Sequence, residues 1–299
     1  TPLKVALVEA YPLQSKPGEK PAYQPSYDAR STALAWGTRQ IYEDLGVWDA
    51  IKAHVTPIKH IHVSDKGRFG ATRLHSDDYQ QDALGYVVEN HWIGQSLLAT
   101  IASLNNVELI CPDEVVDIEC SHEGARLQLK ERGQIAASVA VLADGGRSGL
   151  REKLNIDVSV QSYNQTALIA NVTTSKHHEW VAYERFTESG PMALLPMGEQ
   201  SQQDSRSALV WTLPEEQVDE VMGLSDADFL EKLQEAFGYR LGKFTQAGER
   251  ASYPLVLSLS KEQVRPGLVV VGNAAHSLHP VAGQGYNLAL RGVLRLASV

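Results

Sequence analysis

The stretch that most restricts this chain lies near its end: Gly267 to Gly292, GLVVVGNAAHSLHPVAGQGYNLALRG. Leu268 to Val271 has the length and β-branched content of a buried strand, and it breaks at Gly272-Asn273. A loop with Pro280, Gly283 and Gly285 follows, and a helix is expected to begin near Tyr286. A strand, glycine turn and helix start in this order deliver backbone N–H groups and a positive helix end to an anionic or electron-rich ligand. Glycines also let the backbone lie flat against a planar group, because no Cβ intervenes. A plain βα turn with glycine caps would use some of the same residues. The crowding of Asn273, His279-Pro280 and Gly283-Gln284-Gly285-Tyr286-Asn287 into one turn favours a ligand.

A second apolar strand, Val139 to Asp144, leads into Gly145-Gly146-Arg147-Ser148-Gly149-Leu150-Arg151. Alone, an Asp-Gly turn with a Ser-capped helix behind it is common in α/β proteins. A second glycine turn later in the chain strengthens the functional reading. Leu3 to Glu9 (LKVALVE) reads as a central parallel strand closed by an acid. In a dinucleotide fold such an acid accepts from a ribose hydroxyl and lies about 20 residues after a Gly-x-Gly-x-x-Gly loop. No such loop occurs in the 299 residues. The expectation is that a first strand, phosphate loop and helix precede Thr1, which is not a native start.

The rest of the chain sets bounds. Its length suits two domains. A net charge of −9 without a basic stripe argues against nucleic acid as the main partner. No apolar run reaches the ~18 residues of a membrane span. Cys111 and Cys120 fit neither a metal knuckle nor a redox pair, which suggests a reducing compartment. Tyr11 to Tyr27 reads as an exposed loop. Asp28-Ala29-Arg30-Ser31 then opens a helix, with Ser31 as N-cap, Leu34, Ile41 and Leu45 on one face, and Gly46 after its end. By itself Arg30 reads equally as a solvated side chain beside Asp28. Ile58 to Leu74 alternates around Asp65-Lys66-Gly67, a hairpin. His60 and His62 share a face with no third ligand nearby, so a solvated sheet face is preferred to a metal. A strand at Tyr86 to Glu89 precedes a helix marked by Ile93, Leu97, Ile101 and Leu104, with Gln95 in its first turn. Strands follow at Val107 to Ile110, Val115 to Glu119 and Ala125 to Lys130, the last two as an antiparallel pair. From Thr166 to Leu213 the apolar period becomes 2 over four strands, which indicates an antiparallel sheet. Helices are expected at Glu215 to Met222 and Asp226 to Phe237, the second capped by Ser225 with Asp228 at N3.

On the two turns the chain resembles the FAD-dependent aromatic-ring hydroxylases of the p-hydroxybenzoate hydroxylase fold. The runs HVSDKG, ERFTESGPMALLPM, AFGYRLGKFTQAGERASYPL and VGNAAHSLHPVAGQGYNLALR resemble the ubiquinone-biosynthesis branch. The resemblance implies an α/β fold: an FAD-binding Rossmann-like domain, here lacking its first βα unit, with an inserted antiparallel-sheet substrate domain. The FAD-binding parts would be 1–57, 86–157 and 253–299, and the substrate parts 58–85 and 158–252. It further implies FAD contacts from Glu9, Arg30, Gln95, Asp144, Gly145, Arg151, Gly272, Asn273, Pro280, Gly283, Gly285 and Asn287, with Gln284 beside the isoalloxazine. Asn273 stands where the family has Asp; it can still accept a hydrogen bond but brings no charge. Arg185, Phe186, Met192, Leu195 and Pro196 would face the substrate.

The implied reaction is hydroxylation of a polyprenylated methoxyphenol with O2, and NAD(P)H as a transient co-substrate. Other ubiquinone-biosynthesis proteins are the implied partners. The implied location is cytoplasmic, with peripheral contact at the inner membrane. No base for the phenol is assigned, although His276 and His279 are close in sequence. A hydroxylase acting at another ring carbon and a non-catalytic flavin-fold subunit share most of these features.

Overall fold

The computed structural model describes residues 3–13, 30–198 and 205–298. Most of the loop expected at Tyr11 to Tyr27, and the helix start expected at Asp28-Ala29, lie outside the described residues. The chain begins with β1 (Val5–Val8), β2 (Ser31–Ala35), α1 (Trp36–Asp44) and α2 (Trp48–Ile51). Then come β3 (Val55–Ile58), the hairpin β4 (His60–Asp65) and β5 (Ala71–His75), β6 (Gly85–Glu89) and α3 (Asn90–Ala102). The middle holds β7 (Val107–Ile110), β8 (Val115–Ser121), β9 (Gly124–Leu129), β10 (Gly133–Ala137), β11 (Ala140–Leu142) and α4 (Leu150–Lys153). Four long strands follow: β12 (Val158–Thr174), β13 (Val181–Thr187), β14 (Gly190–Pro196) and β15 (Arg206–Pro214). The last part contains α5 (Glu215–Met222), α6 (Asp226–Phe237), β16 (Phe244–Ala247), β17 (Ala251–Ser260) and β18 (Val264–Arg265). It closes with β19 (Leu268–Val270), β20 (His276–Ser277) and α7 (Gln284–Ala297).

The short apolar strands pair in parallel, as their unalternating sequences require. β1 lies beside β7, with Val5 opposite Val107. β11 lies beside β19, with Ala140 opposite Leu268 and Leu142 opposite Val270. Ile118, Leu142, Leu150, Leu154, Leu268 and Val270 form one buried cluster, so α4 and the β8–β9 hairpin are packed against that pair. β10 extends this hairpin as an edge strand. Its sequence, GQIAA, has no apolar alternation to announce it.

The helix expected from Ser31 is corrected. Ser31–Ala35 is a strand, paired antiparallel with β6 from Ser31–Glu89 to Ala35–Gly85, and the helix starts at Trp36 without a side-chain cap. Pairing with β6 buries Leu34 to 1% exposure, which outweighs the capping preference of Ser31. At the other end Gly46 has φ 69 one residue beyond the helix C-cap, as expected.

The described residues also form a nine-stranded sheet in the order β20-β17-β12-β15-β14-β13-β4-β5, with β16 paired to β12. It is mixed rather than wholly antiparallel, because β13 pairs in parallel with β4. One face carries α5 and α6 over a core that includes Leu168, Met192, Leu209, Trp211, Phe229 and Leu233. Ser225 caps α6 as expected: its Oγ accepts from Asp228 N at 3.2 Å and donates to the Asp228 carboxylate at 2.6 Å. The other face, with Ala182, Leu195 and Ala208, packs on Ile58, Val87 and Ala33 of the β2–β6–β3 sheet. The solvated histidine face is also corrected. His62 is only 5% exposed and packs on Tyr183, and His60 Nδ1 meets His75 Nδ1 at 2.9 Å across the hairpin.

Candidate functional site

The two glycine turns leave from neighbouring parallel strands. β11 and β19 run side by side, and Val271 N donates to Leu142 O at 3.0 Å, so both chains enter their turns at the same sheet edge. Arg151 then ties the turns together. Its guanidinium donates to Ala274 O in one turn and to Gly146 O in the other, both at 3.0 Å. Gly146 has φ 76, which strains any other residue there, and a Cβ would also push against that guanidinium at 2.5 Å. Asp144 shapes the first turn: its carboxylate accepts from Gly146 N at 2.8 Å, from Ser148 N at 3.1 Å and from the Ser148 hydroxyl. Gly145, Gly146 and Gly149 all have positive φ. Ser148 was expected to cap the following helix; the capping position is Gly149, and Ser148 Oγ accepts from Leu150 N at 3.2 Å.

The second turn passes from Gly272 (φ 60) through the exposed Asn273 to Pro280, and α7 opens at Gly283 (φ 60) with no side-chain cap. The N–H groups of a helical first turn have no partner within the helix. Nothing stands within 4 Å of where a Cβ would project from Gly272 or Gly285. That open, uncapped helix start beside two positive-φ turns fits a large planar anionic cofactor such as FAD.

Asn287 has a different role from the one expected. Its side-chain oxygen accepts from Ala35 N at 2.8 Å and Thr38 Oγ at 2.7 Å, and its amide donates to Ala33 O and Gly283 O, both at 2.9 Å. All of its hydrogen-bonding capacity is thereby taken. The buried amide clamps α7 to the β2–α1 junction. Nearby, the Tyr286 and Tyr42 hydroxyls bond to each other, and burial first pushes both phenols above their ordinary pKa.

The remaining residues are more spread out. Arg30 leads into β2, with its guanidinium 4.9 Å above the Tyr253 ring. Glu9 follows β1, and its carboxylate accepts from Tyr11 N at 2.9 Å. Gln95 is exposed and falls in the second turn of α3, not the first, because the helix starts at Asn90. On the large sheet Met192, fully buried, faces the helices, and Arg185 shares its face as its register partner. Pro196 is buried with the same parity as Met192, whereas Phe186 and Leu195 point to the opposite face.

Tyr163 and His279 were not paired by sequence reasoning. A register shift between Ser162 and Gln165, with Asn164 at φ 53, re-aims Tyr163 so that its ring meets His279 edge-on at 5.0 Å. Burial lowers the His279 pKa, so the ring is neutral near pH 7. Its Nδ1 accepts from Val281 N at 3.3 Å, which places the proton of the neutral ring on Nε2. No sequence signal marks a bulge inside a strand this long.

A family model described as "FAD binding domain" matches residues 20–299. The ubiquinone hydroxylase UbiL of Rhodospirillum rubrum is 35% identical over 272 residues, covering 91% of this chain and 62% of that protein. The chain thus spans less than two thirds of that relative. Among solved structures, a mutant of PqsL from P. aeruginosa aligns with a TM-score of 0.79 at 18% identity, covering 99% of this chain and 78% of that one. The p-nitrophenol 4-monooxygenase PnpA from Pseudomonas putida aligns with a TM-score of 0.71 at 15% identity, covering 95% and 70%. The expected fold class is borne out by these likenesses.

Proposed function

The chain belongs to the FAD-binding-domain family, and from that premise we propose that the protein is a flavin-dependent monooxygenase hydroxylating a polyprenylated methoxyphenol in ubiquinone biosynthesis. The observation that carries the reading is the side-by-side exit of the Asp144 and Gly272 turns from parallel strands, clasped by Arg151. Bound FAD, reduced by NAD(P)H, supplies the oxygen-transfer chemistry.

The protein's own residues bind and orient. Gly272 and Asn273 would hold the ribityl chain, and Pro280 to Gly285 would lie over the ring. The first turn of α7, with no side-chain cap, would offer backbone donors and its positive end to the electron-rich edge of a bound ring and so favour negative charge there. Gly145 and Arg151 serve the pyrophosphate side, Arg151 by holding the two turns in register. Asp144 fixes that loop through its own backbone contacts, and Asn287 fixes the start of α7. Glu9, Arg30 and Gln95 are assigned to the ribose and ribityl side on the resemblance alone. Phe186 and Leu195, on the face turned away from the helices, would meet different parts of the lipophilic substrate, while Arg185, Met192 and Pro196 support them from the covered face.

The proposed division is a cofactor part of 1–57, 86–157 and 253–299 and a substrate part of 58–85 and 158–252. Among the described residues no helix is long and apolar enough to cross a membrane. We place the protein in the cytoplasm with peripheral access to the inner membrane, beside other enzymes of the pathway. Measuring FAD content and phenol-dependent NAD(P)H oxidation in the full-length protein tests the proposal. Bound FAD with coupled hydroxylation is expected. A flavin-free protein that consumes no NAD(P)H would make it a non-catalytic subunit instead.

A further inference from the structure

One edge of the large sheet carries an element that the proposed reaction leaves unused. Between β4 and β5 the turn Lys66-Gly67-Arg68-Phe69-Gly70 projects beyond the sheet. Gly67 and Gly70 have φ 80 and 105, with nothing within 4 Å of a Cβ at either position. Phe69, at the tip, is 109% exposed, more than any other large apolar side chain among the described residues. Single exposed apolar residues are ordinary. This one is flanked by cations. Lys66 and Arg73 are exposed, and Arg68 remains 82% exposed while paired with Asp65 at 3.0 Å. Lys66 and Arg68 against Asp65 make the tip locally basic in a chain of net charge −9, and Arg73 adds a further cation down the hairpin, opposite His62.

The tip is also in line with the candidate site. Lys66 N donates to Phe186 O at 2.8 Å, and Phe186 lies opposite both Asp65 and Pro191. Gln165 donates to Ser189 O at 3.2 Å on the β13–β14 turn, and Tyr163, two residues earlier, touches His279. One end of the sheet therefore runs from the His279 loop across β12, β15, β14 and β13 to the hairpin. Four inter-strand steps make this about 19 Å. Phe186, 41% exposed, lies on the way.

We infer that the β4–β5 hairpin tip docks the protein on an anionic lipid bilayer, with Phe69 entering the acyl boundary and Lys66, Arg68 and Arg73 meeting head-group phosphates. The inference rests on the proposed polyprenyl substrate for its purpose: the lipid tail follows the sheet end from the bilayer to the His279 loop. Aromatic and basic side chains side by side are the usual interfacial combination. The charge balance also sets orientation, since the acidic body is repelled from the same surface that attracts the tip.

The test is co-sedimentation of the full-length holoprotein with phosphatidylcholine vesicles, with and without phosphatidylglycerol. Binding is expected only with phosphatidylglycerol, and added salt should weaken it. Phe69→Ser should lower partitioning about tenfold, and the neutralising Lys66→Gln and Arg68→Gln about fivefold each. Melting temperature and turnover of a short-chain, water-soluble phenol should stay unchanged, while turnover of vesicle-embedded substrate falls with binding. Variants that bind vesicles as the parent does would overturn the inference, as would a parent that ignores vesicles or binds both kinds equally. If the tip governs vesicle binding yet no phenol is hydroxylated, the docking surface stands and the proposed reaction fails. If soluble phenol is hydroxylated while vesicle binding ignores the tip, the docking surface alone fails.

Discussion

The two glycine turns and the nine-stranded sheet are built by opposite means. In the turns the polar side chains are occupied with one another: Asp144 with its own loop, Arg151 with two carbonyls, Asn287 with four backbone and hydroxyl groups. What they leave for a ligand is backbone, opened by glycine. The sheet works through side chains, with one alternating face buried under α5 and α6 and the other turned to the β2–β6–β3 sheet. Motif residues in the turns therefore act mainly as scaffolding for donors, whereas in the sheet the pattern itself decides what a ligand meets.

That contrast can be broken by substitution. Phe229→Ala removes a fully buried ring that packs on Trp211, and should cost about 4 kcal/mol in chemical denaturation. FAD affinity per folded molecule should not change. Asn287→Ala strands the groups it satisfied; about 3 kcal/mol should be lost, and FAD affinity should fall with it. Equal FAD binding in both variants would erase the distinction. Arg151→Lys keeps the charge but not the fork that reaches both turns. A loss of about 1.5 kcal/mol is expected from the bidentate contact, together with weaker FAD binding by fluorescence titration.

A pH effect belongs to the sheet side. Burial first, then Arg240, Arg73 and Arg185, lower the His62 pKa below its ordinary 6.5. The unfolded chain therefore binds this proton more readily. His62 contributes stability that is present above pH 6.5 and lost as pH falls through its folded value. The melting temperature should drop on acidification below neutrality, and His62→Gln should flatten that slope. The smallest expected effect is that of Asn273→Ala. Asn273 is exposed, so stability should change by less than about 0.5 kcal/mol while FAD affinity declines. A large stability loss there would show that Asn273 is scaffolding like Asn287.

What the sequence revealed follows the range of each signal. The strand at Leu268, its glycine break and the helix after it are local features and were legible. So was the Ser225 cap, which needs only four residues. Ser31 misled because its capping preference is local, while its pairing with Glu89 on β6 is distant in sequence. Alternation in MALLPM announced a half-buried strand but not which face held the helices, so Met192 and Leu195 could not be told apart. The polar character of Asn287 was visible; that its amide would be fully consumed depended on Ala33, Ala35 and Thr38, far away in the chain.

The most direct measurement is amide hydrogen exchange of the full-length protein with and without FAD. If both turns cradle one cofactor, FAD should slow exchange in 144–149 and in 272–286 together, with the same concentration dependence. Protection confined to one turn, or absent from both, would contradict the account.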